Sequence, residues 1–331
     1  MNRADYKQPA SYQWSLGVQH SLGARTVASI SYVGNTNRYQ NDYTQYNLPA
    51  QAALIPLING VAGATYATSG VPFPGFRSVR LSTNEANSHY NGLQLDINSQ
   101  VGKDLFLRAF YTYSKTIDPG TGSNGGQDLQ DVSNPYMGWR YDVGPGGYDR
   151  THNAVVNFIY DLPVFRHSDS RLLRTAVGGW QVSGIVTIES GIPINIGLSG
   201  NQGGNSLPNA TNRPDLASKI SYPQTVSATG QQVIQYINPA SFANPAIGAF
   251  GDLGHNAARG PGRDNWNISL FKSFVFSETR GSRLEFRAET FNTWNHTQFN
   301  QVSNNFGSKN FGQFTSAFDP RVMQLGLKLY F

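Results

Sequence analysis

The sequence predicts an all-β fold: an antiparallel transmembrane β-barrel built from about nine strands. Three observations predict it. Nine segments alternate apolar and polar residues with period two, the mark of a strand with two unlike faces. Short and long connections alternate along the chain, as when tight turns lie on one side of a membrane and long loops on the other. Composition excludes a charged helical bundle: only 14% of the 331 residues are charged, against 35 Gly, 17 Tyr, 19 Phe and 5 Trp.

The first segment, 12–22, sets Tyr12, Trp14, Leu16, Val18, His20 and Leu22 against Gln13, Ser15, Gly17, Gln19 and Ser21. The second, 26–34, carries Ala28, Ile30 and Tyr32 against Ser29 and Ser31. The third, 89–101, opposes Leu93, Leu95 and Ile97 to Gln94, Asp96 and Asn98. In the fourth, 104–116, Leu105, Leu107, Ala109, Tyr111 and Tyr113 face away from Arg108, Thr112 and Ser114. The fifth, 152–161, pairs Ala154, Val156, Phe158 and Tyr160 against Asn153, Asn157 and Asp161. The sixth, 179–190, sets Trp180, Val182, Val186 and Ile188 against Gln181, Ser183, Thr187 and Glu189.

The seventh, 266–277, is mixed: Lys272 shares a face with Ile268 and Leu270, and Phe271 takes the other, which suggests a bulge. The eighth, 282–292, opposes Leu284, Phe286 and Ala288 to Arg283, Glu285, Arg287 and Glu289. The ninth, 321–331, opposes Met323, Leu325, Leu327, Leu329 and Phe331 to Gln324, Gly326 and Lys328. A tilted strand needs roughly 9–11 residues to cross a bilayer, and these segments have that length. No segment has a clear helical period; 172–176 makes at most one turn.

Short connections lie at Gly23-Ala24, Gly102-Lys103 and 278–281, with a medium one at 162–178. The long ones, 35–88, 117–151, 191–265 and 293–320, are rich in Gly, Asn, Pro and Asp and read as structureless loops. Aromatic girdles are expected near strand ends, from Tyr12, Trp14, Tyr32, Tyr111 and Tyr113 on the loop side and Tyr160, Trp180 and Tyr330 on the turn side. Arg108, Glu285, Arg287 and Glu289 would face a wet lumen, as an ion-pair ladder or as a constriction that touches solute.

The net charge is +5 with no run of five basic residues, so no nucleic-acid surface is read. Cysteine is absent, which removes disulfides, thiol nucleophiles and Cys-based zinc sites. No stretch of 18 apolar residues predicts a membrane helix, and Met1–Tyr6 has no apolar core of a secretory signal. Mean hydropathy of −0.40 does not argue against a barrel, because half of each strand is polar by construction of the fold. Nine strands is odd, and the first starts on the long-loop side; the expectation is that 1–331 is the C-terminal part of a longer barrel, with plug and N-terminal domains absent.

Several of these segments resemble one family in order along the chain. SYQWSLGVQ at 11–19, SYVGN at 31–35, NSHYNGLQ at 87–94, YTYSK at 111–115, GGWQVSG at 178–184, RGPG at 259–262, FNTWNHTQF at 291–299 and QLGLKLYF at 324–331 are similar to the C-terminal barrel region of Oar-like TonB-dependent outer-membrane receptors. The resemblance implies a roughly 22-strand plugged barrel in the cell outer membrane of a Gram-negative-type bacterium. It implies uptake of an extracellular ligand by a receptor that is not an enzyme and carries no cofactor. Partners would be outer-membrane lipid, the outer-membrane assembly machinery reading Leu325, Leu327, Leu329 and Phe331, and TonB through N-terminal parts outside 1–331. Loops 35–88, 117–151 and 191–265 would capture ligand.

Other chemistry is weakly signalled. The G-x-G-x-x-G at 120–125 lacks a following helix to present its amides to phosphate. Asp118, Asp128 and Asp131 offer oxygen ligands for calcium, without EF-hand spacing. His20, His89, His152, His167, His255 and His296 form no metal-binding helical pair, and no G-x-S-x-G elbow is present. Two further readings stand beside the receptor: a self-contained porin or adhesin-like barrel drawing one more strand from 299–318, and a soluble secreted β-sandwich that binds carbohydrate.

Overall fold

The computed structural model describes residues 7–50, 70–76, 78–120, 132–166, 168–199, 211–227, 233–246, 248–277 and 281–331. Its frame is one antiparallel sheet of nine long strands: β1 (Ala10–Ser21), β2 (Thr26–Gln45), β3 (Arg80–Val101), β4 (Leu105–Asp118), β5 (His152–Asp161), β6 (Trp180–Glu189), β7 (Arg263–Ser277), β8 (Ser282–Phe291) and β9 (Val322–Tyr330). Each pairs with its neighbour in sequence, and among the described residues β1 and β9 are each paired on one side only. Tight turns join β1–β2 and β3–β4, and four residues separate β7 from β8; Gly102 and Gly281 take φ of 63° and 68°, a region that costs other residues strain.

Register decides which faces coincide. One cross-strand row reads Val18, Ile30, Leu95, Tyr111, Ala154, Ile188 from β1 to β6. Another reads Leu105, Tyr160, Val182, Leu270, Ala288, Leu325 from β4 to β9. All nine apolar sets therefore share one face of the sheet. Among the described residues no second sheet covers that face: Leu16 is 76% and Leu325 73% exposed. Leaving a Leu, Ile or Val in water forfeits about 1.5–3 kcal/mol relative to burial, so a continuous exposed face is stable only against hydrocarbon. The sandwich reading fails here, because it requires these side chains to pack on a second sheet.

Three expectations are corrected. Strands β2 and β3 run well past the expected loop boundary into 35–45 and 80–88. Those residues are polar on both faces (Asn35 to Asp42, for example), so the period-two signal stops while the backbone ladder continues, interrupted by register shifts between Asn37 and Asp42. Lys272 keeps regular register; the bulge falls later, between Val275 and Ser277. Residues 299–318 supply no tenth strand to the sheet. Instead Phe299–Val302 pairs with Phe314–Ala317 apart from it, which removes the basis of the porin reading.

The long connections are not structureless. Pro193–Ile194 pairs with Ala258–Arg259, Asp215–Leu216 with Phe242–Ala243, and Gly197–Leu198 lies parallel to Asn305–Phe306. Between them Ile196, Tyr236, Ile237, Phe242, Leu253, Ala258 and Phe311 form a buried apolar cluster. The chain's conventional core thus sits in a cap at the long-loop end of the sheet. On the turn side, α1 (Arg171–Ala176) is a short helix capped by the Ser170 hydroxyl, which accepts from the Leu173 amide at 3.4 Å.

Candidate functional site

Two regions carry the polar chemistry: the polar face of the sheet and the interior of the cap. On the polar face, Arg108 on β4 lies 3.4 Å from Asp96 on β3 and stacks over the Phe110 ring at 4.4 Å. Glu285 on β8 accepts from Arg283 Nε at 3.0 Å and from the Tyr330 hydroxyl at 3.3 Å. Glu289 accepts from the Gln324 amide on β9, and the Arg287 guanidinium lies over the Phe271 ring at 5.5 Å. Residues 108, 285, 287 and 289 thus share the face opposite the apolar rows, joined by hydrogen bonds and ring contacts as much as by ion pairs.

Tyr12, Trp14, Tyr111, Tyr113, Tyr160 and Trp180 all lie on the apolar face. Tyr111 donates to or accepts from His152 Nδ1 at 2.8 Å, and the Tyr113 ring lies 5.3 Å from that imidazole. Tyr330 lies on the other face, hydrogen-bonded to Glu285, and is no part of an outward girdle. Leu325, Leu327 and Leu329 line β9 on the apolar side, with Phe331 fully exposed one residue beyond the strand.

Inside the cap two Arg–Asp pairs stand out. Arg213, 1% exposed, meets Asp142 at 2.8 Å. Its remaining donors reach the Leu253 carbonyl at 3.0 Å and the Tyr141 carbonyl at 2.6 Å, and its guanidinium lies 3.8 Å from the Tyr141 ring centroid. The other Asp142 oxygen accepts from the Ser133 amide at 2.7 Å. A second pair joins Arg259 to the buried Asp149; Arg259 also reaches the Asp149 carbonyl at 2.9 Å, and Asp149 accepts from the Thr116 amide at 2.6 Å. A desolvated ion pair persists only when its other lone pairs and protons are satisfied, as they are at Arg213–Asp142, while Arg259 keeps part of its guanidinium in solvent.

The two pairs bolt the 132–151 segment to the 211–262 segment. Glycine permits the approach: a Cβ on Gly144 would collide with the His255 carbonyl. His255 packs against Gly120 and Gly144 and is buried, with no hydrogen-bond partner for Nδ1 among the described residues. Burial pulls its pKa below 6.5; Asp142 and Asp118 oppose the shift and Arg213 adds to it. Burial, helped by Tyr222, pushes the Tyr236 hydroxyl up to about 12, and burial raises Tyr141 against the pull of Arg213.

Asp118 accepts from the Gly120 amide at 2.8 Å, an Asx turn at the top of β4. Asp128, Asp131, His167 and most of the 120–125 glycine motif lie outside the described residues. Among the described residues no three His, Asp or Glu side chains converge as a metal site. Sequence reading missed Tyr141, Asp142, Asp149 and Arg213, since partners 71 and 110 residues apart leave no local pattern. Arg259 and the 291–299 motif were visible only through resemblance. In that motif Asn292 takes φ of 51° and donates to the His296 carbonyl at 3.0 Å, while Thr293 donates to the Trp266 carbonyl at 2.8 Å, which closes the end of β8.

Residues 1–324 match a family model described as an outer membrane beta barrel domain. Among solved structures, the outer membrane transporter YddB from Escherichia coli aligns with a TM-score of 0.51 at 10% identity, covering 98% of this chain and 33% of that one. BauA, the ferric preacinetobactin receptor from Acinetobacter baumannii, aligns at 0.46 and 13% identity, covering 96% and 29%. This chain therefore spans about a third of the length of each, and its likeness to YddB is one of fold. No curated protein matches it in sequence.

Proposed function

Because this chain belongs to the outer membrane beta barrel domain family, we propose that it is the C-terminal barrel sector of a TonB-dependent receptor for an unidentified extracellular ligand. One observation supports this most strongly: nine apolar sets in register on one open sheet, whose two outer strands each have one edge unpaired among the described residues. A sector of a wide barrel has that form, and a small closed barrel does not. In this reading Arg108, Glu285, Arg287 and Glu289 line the lumen, and Tyr12, Trp14, Tyr111, Tyr113, Tyr160 and Trp180 mark the two headgroup levels. The assembly machinery reads Leu325, Leu327, Leu329 and Phe331.

The cap, on the outside, is the ligand-facing part, and TonB acts through a region beyond these residues. The role is binding and passage, with no catalytic group assigned. The test is genetic. Growth on a panel of scarce nutrients is compared in wild-type cells, cells lacking this gene and cells lacking TonB. The gene deletion should reproduce a subset of the TonB defects. A defect that persists undiminished in TonB-deficient cells rejects energy coupling.

A further inference from the structure

The connection between β5 and β6 differs from every other one on the turn side. Residues 162–179 fill it, where the others are 22–25, 102–104 and 278–281. It is folded, not slack. Arg166 pairs with Asp104 of the neighbouring turn at 2.9 Å, and the amides of Val177 and Gly178 both donate to the Leu173 carbonyl, at 2.9 and 3.0 Å. Its position is fixed by Lys272, an odd residue on a face of Ile268 and Leu270. The Lys272 ammonium, 2% exposed as a residue, donates to the carbonyls of Ala176 at 3.1 Å and Gly178 at 2.5 Å.

The Ala176 carbonyl is freed at the end of α1, where a cation is favoured, and the Gly178 carbonyl lies just past the C-cap Val177. Trp180, the cross-strand partner of Lys272, donates its indole N–H to Ala176 at 3.3 Å as well. Both side chains belong to the apolar face. The end of α1 is therefore clamped to the hydrocarbon side of the sheet, at its turn-side rim.

What the linker then presents is apolar and basic together. Leu172 is 77% exposed, and Val164, Phe165, Leu173 and Val177 are also exposed. Arg166, Arg171 and Arg174 outnumber Asp169, a net charge of +2 over 162–179. Exposed apolar side chains contiguous with a hydrocarbon belt, carried beside cations, describe an element lying in a membrane interface. We propose that the 162–179 linker is a lipid anchor, seating Leu172 and Val177 among acyl chains while Arg174 meets anionic phospholipid headgroups. The proposal rests on the outer-membrane reading of the sheet and adds a contact outside the strands.

Residues 1–331 contain no cysteine, so a cysteine introduced among them is a single probe site within this region. Leu172→Cys, Leu325→Cys and Lys103→Cys each carry an environment-sensitive NBD label, and the proteins are placed in phosphatidylethanolamine–phosphatidylglycerol vesicles containing spin-labelled lipid. The label at 172 should be blue-shifted and quenched as at 325, about 5–10 Å into the interface, while the label at 103 stays aqueous. Adding Arg174→Gln should shift the 172 label toward water by about fivefold in partition, the weight of one basic residue at an anionic surface.

An aqueous signal at 172 with quenching at 325 overturns the anchor and leaves the membrane sheet standing. Aqueous signals at both overturn the two together. Loss of quenching at 172 on adding inorganic phosphate alone overturns the lipid assignment in favour of a free-anion site. Protection of 172 only in the presence of other membrane proteins overturns it in favour of a protein partner.

Discussion

The sheet and the cap dispose of their apolar side chains in opposite directions. Leu16 and Leu325 on the sheet are 76% and 73% exposed, whereas Ile196 and Ile237 in the cap are 0% exposed. The sheet is a membrane element whose apolar partner is lipid. The cap packs as a water-soluble globule does, around its own apolar cluster, one desolvated ion pair and a second pair whose carboxylate alone is fully buried. One chain therefore contains two solvents' worth of folding physics, and each region should fail under different treatments.

The largest separation is expected from Asp142→Ala. It leaves the Arg213 guanidinium buried without a counter-charge, a loss of about 3–5 kcal/mol. Hydrogen exchange should quicken at 211–217 and 249–256 while β3 and β4 stay protected. Equal loss in both regions would show that cap and sheet unfold as one unit. Next, Ile30→Arg places a charge on the apolar face of β2 and should cost about 2–4 kcal/mol in vesicles, read from urea titration of the inserted chain. A wild-type midpoint would mean that this face meets water, and the contrast between the regions would disappear.

A finer comparison uses one methyl. Ile237→Val should destabilise the cap by about 0.5–1.5 kcal/mol, because the packed cluster relaxes only in part around the gap. Leu325→Val should cost less in a bilayer, since lipid fills the space. Matching losses in thermal melts of the two variants would contradict that difference in packing.

The smallest effect is one of pH. His255 has its pKa depressed in the folded cap, mainly by burial. The unfolded chain then binds the extra proton first, so this stabilisation is full above the ordinary value of 6.5 and is lost as pH falls through the folded value. Cap stability should decline with acid below that point in the native protein and stay flatter in His255→Gln. The sheet's urea midpoint should not follow. A cap whose stability rises on mild acidification refutes the assignment.

Legibility in the sequence divides along the same line. The strands β1, β4, β5, β6, β8 and β9 were readable within a few residues, because a face that meets lipid and a face that meets water write themselves as alternation. The outer halves of β2 and β3 were not, since residues such as Asn37, Gln40 and Asp42 are polar on whichever side they point. The cap was invisible for another reason. Its short strands hold two to four residues, too few for any period, and its bonds join Asp142 to Arg213 and Asp149 to Arg259 across long stretches of chain. Lys272 was noticed as an anomaly, but its partners, backbone carbonyls of Ala176 and Gly178, have no signature in side-chain sequence.

The twenty residues of β2 have a mechanical corollary. Crossing lipid takes roughly 9–11 of them. The remainder, rising about 3.3 Å per residue at a tilt near 40°, carries the paired strand ends at Gln45 and Arg80 roughly 25 Å clear of the hydrocarbon. A visitor arriving from outside passes the outer ends of β2 and β3 before it reaches the bilayer, and the buried Gln45, which donates to the Ser78 hydroxyl at 2.8 Å, ties those ends together.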